Sequence, residues 1–272
     1  MSRFRFFLPI AALVAGSTFA AEISLFPAER LYPASIAGPL EPRFGVTLAD
    51  FSATDIDDTG DQRLILELGG VFDLVEIDAG GTVWHIGLAA GFRGQFDQDH
   101  SQDNVGWDGI YGLQLQSRLS DRLAVKLGAM HTSAHIGDEL AERTGRERIG
   151  YTREEAVAGL SWNVNERFRA YVEGGYGYVL RDQSQEPLRG EAGLEWVDRP
   201  RFGRFAPYAA IDFGTFEERD WKVDIAAQAG LMLTGEHRRW RVGVAYQDGR
   251  TPLGEFFEAS ERSIALGVWM EQ

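Results

Sequence analysis

WKVDIAAQAGLML, residues 221–233, has two faces. Val223, Ile225, Ala227, Ala229, Leu231 and Leu233 share one, and Lys222, Asp224, Ala226, Gln228, Gly230 and Met232 share the other. A period of two is that of a β-strand, whose successive side chains point to opposite sides. The alternation from Val223 to Leu233 spans eleven residues. Strands of water-soluble proteins usually run about five or six residues, whereas a tilted strand needs ~9–11 to cross a bilayer.

The same pattern recurs in TVWHIGLAAGF (82–92), YGLQLQSRL (111–119), RFRAYVEGGYGYVL (167–180), RFAPYAAIDF (204–213) and RRWRVGVAY (238–246). One face is apolar and the other mixes small, charged and amide side chains. Twelve strands are expected, near 43–52, 63–78, 82–96, 106–118, 122–135, 153–163, 167–181, 187–197, 204–216, 221–234, 238–247 and 261–271. Their connections alternate in kind. DAGG (78–81), LSDR (119–122), NVNER (163–167), DRPRFG (198–203) and GEHRR (235–239) are short and turn-like. The others are mostly longer and polar, up to IGDELAERTGRERIGY (136–151). An even strand count, with short turns at one end and longer loops at the other, predicts an all-β, antiparallel transmembrane barrel. Trp84, Trp162, Trp196, Trp240 and Trp269 fall near the short-turn end, and Trp107 and Trp221 near the other. They suggest two interfacial aromatic girdles, although strict alternation turns Trp269 inward.

Residues 1–20 carry Arg3 and Arg5 before an apolar run and small residues, the pattern of a cleaved secretory signal peptide. Residues 21–42 are expected to form an N-terminal periplasmic segment, and 43–272 the outer-membrane barrel. The net charge of −14 argues against nucleic acid as a partner and leaves outer-membrane lipids as the expected surroundings. The inward faces carry both signs (Arg93, Arg118, Lys126, Arg169, Glu173, Arg189, Glu191, Asp212, Lys222, Asp224, Arg239 and Arg241), which are expected to pair and fill a narrow lumen. Lys222 and Asp224 are expected opposite Arg239 and Arg241. Glycines in EGGYGYV (173–179) lie within a strand, so this stretch is no phosphate-binding loop.

The stretch with chemical potential is GAMHTSAHIGDE, residues 128–139. In the strand 122–135, Leu123, Val125 and Leu127 set the odd positions toward lipid. Unbroken alternation turns His131, Ser133 and His135 outward as well. Residues two apart on one face lie ~6.6–7 Å apart along the strand. A serine flanked by histidines is the minimum apparatus for acyl transfer. Asp138 or Glu139 is expected to orient the base, with backbone near Gly137 helping to hold an oxyanion. Two other readings stand beside this one: a polar rim without chemistry, and a metal site with His131 and His135 as ligands and an acid as third. Asp55, Asp57, Asp58 and Asp61 form a separate acidic loop with oxygen donors but no calcium-loop spacing. For a hydrolase, calcium is the cofactor to test.

EPRFGVTLADF (41–51), HTSAHIGDE (131–139) and REEAVAGLSW (153–162) together resemble a bacterial envelope family known only as domain of unknown function 1207. That resemblance implies an envelope location and no particular activity. More loosely, His131-x-Ser133 is similar to the His-x-Ser of outer-membrane phospholipase A, a twelve-stranded barrel with its dyad on the outer wall. That family has Asn-Gly after its serine and a catalytic Asn on the next strand. Here Ala134-His135 follows, and the next strand begins Arg153, Glu154, Glu155. Two functions therefore remain in view, a structural or narrow-pore barrel and a lipid acyl hydrolase.

Such a chain should migrate differently on gels before and after heating and give a β-rich spectrum in detergent. A monodisperse, detergent-free soluble protein would contradict the barrel.

Overall fold

The computed structural model describes residues 21–235 and 238–271; the expected signal peptide lies outside these residues. A short strand β1 (Glu22–Leu25) precedes twelve long ones: β2 (Phe44–Thr54), β3 (Gln62–Ala79), β4 (Thr82–Asp97), β5 (Asp103–Ser120), β6 (Leu123–Ile136), β7 (Thr152–Asn163), β8 (Phe168–Leu180), β9 (Leu188–Val197), β10 (Phe205–Phe216), β11 (Val223–Thr234), β12 (Arg239–Arg250) and β13 (Ser260–Glu271). One α-helix, α1 (Asp138–Thr144), stands between β6 and β7. Each long strand pairs antiparallel with its sequence neighbours, and β13 returns to β2 from Met270↔Phe44 to Glu261↔Thr54. The sheet is a closed twelve-stranded barrel without a free edge along its wall. β1 adds to β3 beyond the reach of β2, from Glu22↔Asp78 to Leu25↔Val75.

The alternation read from the sequence decides inside from outside. Leu48, Val172, Leu194, Val242 and Leu266 are exposed on the outer wall. An apolar surface of this extent suits lipid and not water. Trp162 and Trp240 are exposed near the short turns and Trp221 near the long loops, while Trp269 is buried inside. The polar face is buried in the lumen, where Arg189 meets Glu155 at 2.9 Å and Glu173 at 2.6 Å. Charges packed this tightly need partners, because an unpaired buried charge is costly.

Residues 31–43 are part of this interior and do not form a separate periplasmic segment. Tyr32, Ala34, Ile36 and Ala37 are buried inside the barrel. Their backbone groups are taken up by wall side chains. Gln116 accepts from the Tyr32 N–H at 3.1 Å, and Glu195 from the Ile36 N–H at 2.7 Å. Arg169 donates to the Pro33 and Ala34 carbonyls at 3.1 and 2.6 Å, and Arg241 to that of Ile36 at 2.9 Å. Irregular backbone is tolerated at membrane depth only when protein satisfies its polar groups. The long-loop end is closed by a second device. Leu253 and Phe256, on a turn between β12 and β13, pack with Ile56, Val105, Ile136 and Leu140. Between plug and cap remains a cavity of about 70 Å3, large enough to hold water.

One expected charge arrangement does not form. Asp224 lies at the long-loop end, with the Arg250 N–H at 2.8 Å, whereas Arg241 pairs in register with Met232 near the short turns. Antiparallel hairpins place the start of one strand beside the end of the next, so 224 cannot oppose 239 or 241. Lys222 and Arg118 are exposed rather than lumenal.

A fully buried ion pair joins the closing strand to β3. Arg63 meets Glu261 at 2.6 Å with both side chains essentially without solvent contact, and also donates to Gln95, Thr54 and Thr59. Glu261→Gln should lower unfolding stability by about 3–5 kcal/mol, the range for breaking a buried pair. Urea titration in detergent measures it, and an unchanged midpoint would contradict the pairing. Deleting residues 31–41 should turn a silent barrel into a conducting one in planar bilayers. Equal conductance before and after deletion would contradict the plug.

Candidate functional site

β6 carries the HTSAH stretch upward to the long-loop rim, and its neighbours decide which way the stretch faces. Leu127 is 53% exposed, whereas Ala134 and Ile136 are 1% and 2% exposed. Met130 and Thr132 line the lumenal cavity. His131, Ser133 and His135 therefore project from the outer wall, in phase with Leu127. Cross-strand pairs on β5 share that face: Tyr111 opposite His131, Gly109 opposite Ser133, Trp107 opposite His135.

Each histidine is stacked on an aromatic ring. The His131 ring lies 4.4 Å from that of Tyr111, and His135 lies 4.3 Å from Trp107. Stacking at this distance fixes ring planes. Between the two stacks Gly109 supplies no side chain, so the wall beside Ser133 is bare. A Cβ on Gly109 would reach the Ser133 Oγ at 3.5 Å, ordinary contact.

On the opposite flank β7 places Glu154 across from His131 and Thr152 across from Ser133. His131 Nδ1 lies 3.4 Å from Glu154 Oε1. With Nδ1 turned to that carboxylate, Nε2 is the nitrogen left for Ser133, two residues along the same face. The hydroxyl of Ser133 has no hydrogen-bond partner among the described residues. A serine, an imidazole and a carboxylate thus sit on one outward patch of two adjacent strands. In that order they are the residue types that acyl-transfer chemistry uses as nucleophile, base and orienting acid.

The acids expected from the sequence are placed elsewhere. Asp138 and Glu139 occupy the exposed first turn of α1, where negative charge suits the helix N-terminus. Asp138 pairs with Arg148, not with a histidine. Gly137 does not offer its N–H to an oxyanion, since that group bonds the Val105 carbonyl at 3.1 Å. Its lack of a side chain has a packing reason: a Cβ would lie 1.6 Å from the Asn104 carbonyl oxygen. Glu154 is the residue that sequence reasoning passed over. Only the β6–β7 register reveals it, and a sixteen-residue loop hides that register.

No metal geometry accompanies the histidines. His131 and His135 hold separate rings, and among the described residues no group of three His, Cys, Asp or Glu is placed to hold an ion. In the acidic loop, Asp58 pairs with Arg143 at 2.6 Å and Asp55 accepts the Ser260 N–H at 2.9 Å.

No curated protein matches this sequence. Among solved structures, outer-membrane phospholipase of Salmonella typhi, a dimer with bound calcium, superposes with a TM-score of 0.61 at 11% identity, over 90% of this chain and 95% of that one. Outer-membrane phospholipase A of Escherichia coli gives a TM-score of 0.62 at 11% identity, over 85% and 93%. At such identity the likeness is one of fold: the chain shares the closed-barrel architecture of these outer-membrane proteins. The model of the family described as protein of unknown function (DUF1207) matches residues 10–269, and the chain belongs to that family.

Proposed function

We propose that this outer-membrane barrel is a lipid acyl hydrolase with Ser133 as nucleophile, His131 as general base and Glu154 as the carboxylate that orients it. The observation carrying this reading is the outward alignment of the three, with Glu154 at Nδ1 and Nε2 left for the serine. The patch lies on the outer wall at the long-loop rim, the level of the lipid headgroups, so a lipid ester reaches it without leaving the bilayer.

The chemistry follows from the residues. Oγ of Ser133 attacks the ester carbonyl while Nε2 of His131 takes the hydroxyl proton. The tetrahedral adduct collapses, the ester C–O bond breaks, and His131 returns the proton to the departing alcohol. Water, deprotonated by the same imidazole, then releases the fatty acid and regenerates Ser133. Glu154 stabilises the imidazolium formed in each half. Apo distances in such sites are commonly loose and tighten with substrate, which accommodates the 3.4 Å contact and the unbonded hydroxyl. The similar Salmonella barrel holds calcium, but the described residues of one chain offer no ready site for it. Calcium is therefore varied in the assay and assigned no step.

A structural barrel without catalysis is the competing reading, favoured by the filled lumen. The same filling disfavours a pore, since residues 31–43 and the Leu253–Phe256 turn occupy the interior.

Purified folded protein should release fatty acid from phospholipid and be labelled by a fluorophosphonate. Ser133→Ala should abolish both, and His131→Ala should lower turnover by about 10³-fold or more. Glu154→Gln should cost about tenfold to a hundredfold. That is less than the ~10⁴ lost at a buried triad acid, because Glu154 is 39% exposed. His135→Ala and Asp138→Asn should stay near wild type. A folded protein that takes no probe and releases no fatty acid, with or without calcium, would leave the structural barrel.

A further inference from the structure

In a chain with a net charge of −14, most arginines near the rim have carboxylate partners. Arg143 meets Asp58 and Asp103, and Arg153 meets Glu155. Arg181, just beyond β8, differs. It is exposed and has no carboxylate partner among the described residues. Its backbone N–H bonds the Thr152 carbonyl at 3.2 Å, and Thr152 is the cross-strand neighbour of Ser133. Ser133, Thr152 and Arg181 thus stand at one level on three successive strands, about two strand spacings or ~10 Å from end to end.

The guanidinium rests against Gly150. A Cβ at that residue would lie 3.5 Å from Cζ of Arg181. Gly150 has φ +63°, a left-handed conformation in which a side chain is disfavoured, so the loop offers Arg181 bare backbone. Two residues earlier Arg148 is exposed and holds the exposed carboxylate of Asp138. A surface pair of this kind is weak and exchangeable. Of the acids nearby, Glu154 faces His131, Asp182 accepts from Ser184, and Glu147 is exposed. The Arg181 guanidinium therefore borders Gly150 beside the candidate nucleophile, and Arg148 stands two residues before that glycine on the same loop.

We propose that Arg181, with Arg148, binds the phosphate of a phosphorylated lipid and so presents an acyl ester of that lipid to Ser133. The proposal rests on the acyl-hydrolase reading for its second half only. A guanidinium fork matches phosphate oxygens in paired, charge-assisted hydrogen bonds. In a membrane lipid a phosphate lies a few bonds from an acyl ester, so a phosphate held by Arg181 leaves that ester within reach of Ser133 on the same stretch of wall. Glycerophospholipids and lipid A both carry this chemistry.

The test uses Ser133→Ala protein in detergent, which cannot turn lipid over. Retention of phosphatidylglycerol, of lipid A and of neutral dioleoylglycerol is compared by native mass spectrometry. The protein should retain one or both phosphorylated lipids over dioleoylglycerol; which one names the source. Adding Arg148→Gln and Arg181→Gln should weaken that retention by about tenfold or more. Both residues are exposed, and unchanged heat-modifiable migration verifies the fold. No preference for phosphorylated lipid, or a preference that survives the double substitution, would overturn the proposal. Selective retention with no hydrolysis by the wild-type protein would uphold the phosphate site and overturn the acyl-hydrolase reading alone.

Discussion

In hydrocarbon there is no water to satisfy a backbone N–H or C=O, so each must find a partner within the protein. The pairing of β13 with β2 meets that demand for the whole wall, because it removes the two edges that an open sheet would leave. Everything else follows from this closure. Alternating side chains must then point either to lipid or to a confined interior. The outer set is apolar, while the inner set is charged and must neutralise itself. A twelve-stranded lumen holds more space than the wall side chains fill, and residues 31–43 occupy it. Their carbonyls and N–H groups meet Arg169, Arg241, Gln116 and Glu195, so one set of wall side chains satisfies both its own charges and the inserted backbone.

A filled interior changes where function can reside. Between plug and cap the lumen keeps only a small cavity. The outer wall at the rim of β5, β6 and β7 departs from a uniform greasy surface. There an otherwise apolar face carries Ser133, two stacked histidines and Glu154, beside the gap left by Gly109. Polar side chains turned toward lipid are expensive and rarely idle. The proposed acyl hydrolysis rests on this outer patch.

Much of this was legible in the sequence because its signal is local. The period of two in 221–233 and its counterparts gave twelve strands within a few residues of those observed. The same period turned Ser133 outward and Trp269 inward. What was illegible depends on contacts between distant segments. Residues 31–43 have no periodicity, and their place in the lumen is set by wall residues as far off as Arg241. Asp138 and Glu139 follow the histidines directly in the chain, but α1 carries them onto the surface. The carboxylate that reaches His131 comes from Glu154, whose position depends on register across the longest loop.

The claim on which the functional account stands is that Ser133 opens to lipid and not to the lumen. The sequence contains no cysteine, so Ser133→Cys can carry a single nitroxide label in lipid nanodiscs. Collision rates with oxygen, which concentrates in lipid, are compared with those of a water-soluble nickel chelate. The account predicts frequent collisions with oxygen and few with the chelate. Low access to both reagents would place Ser133 in the packed lumen and contradict the account.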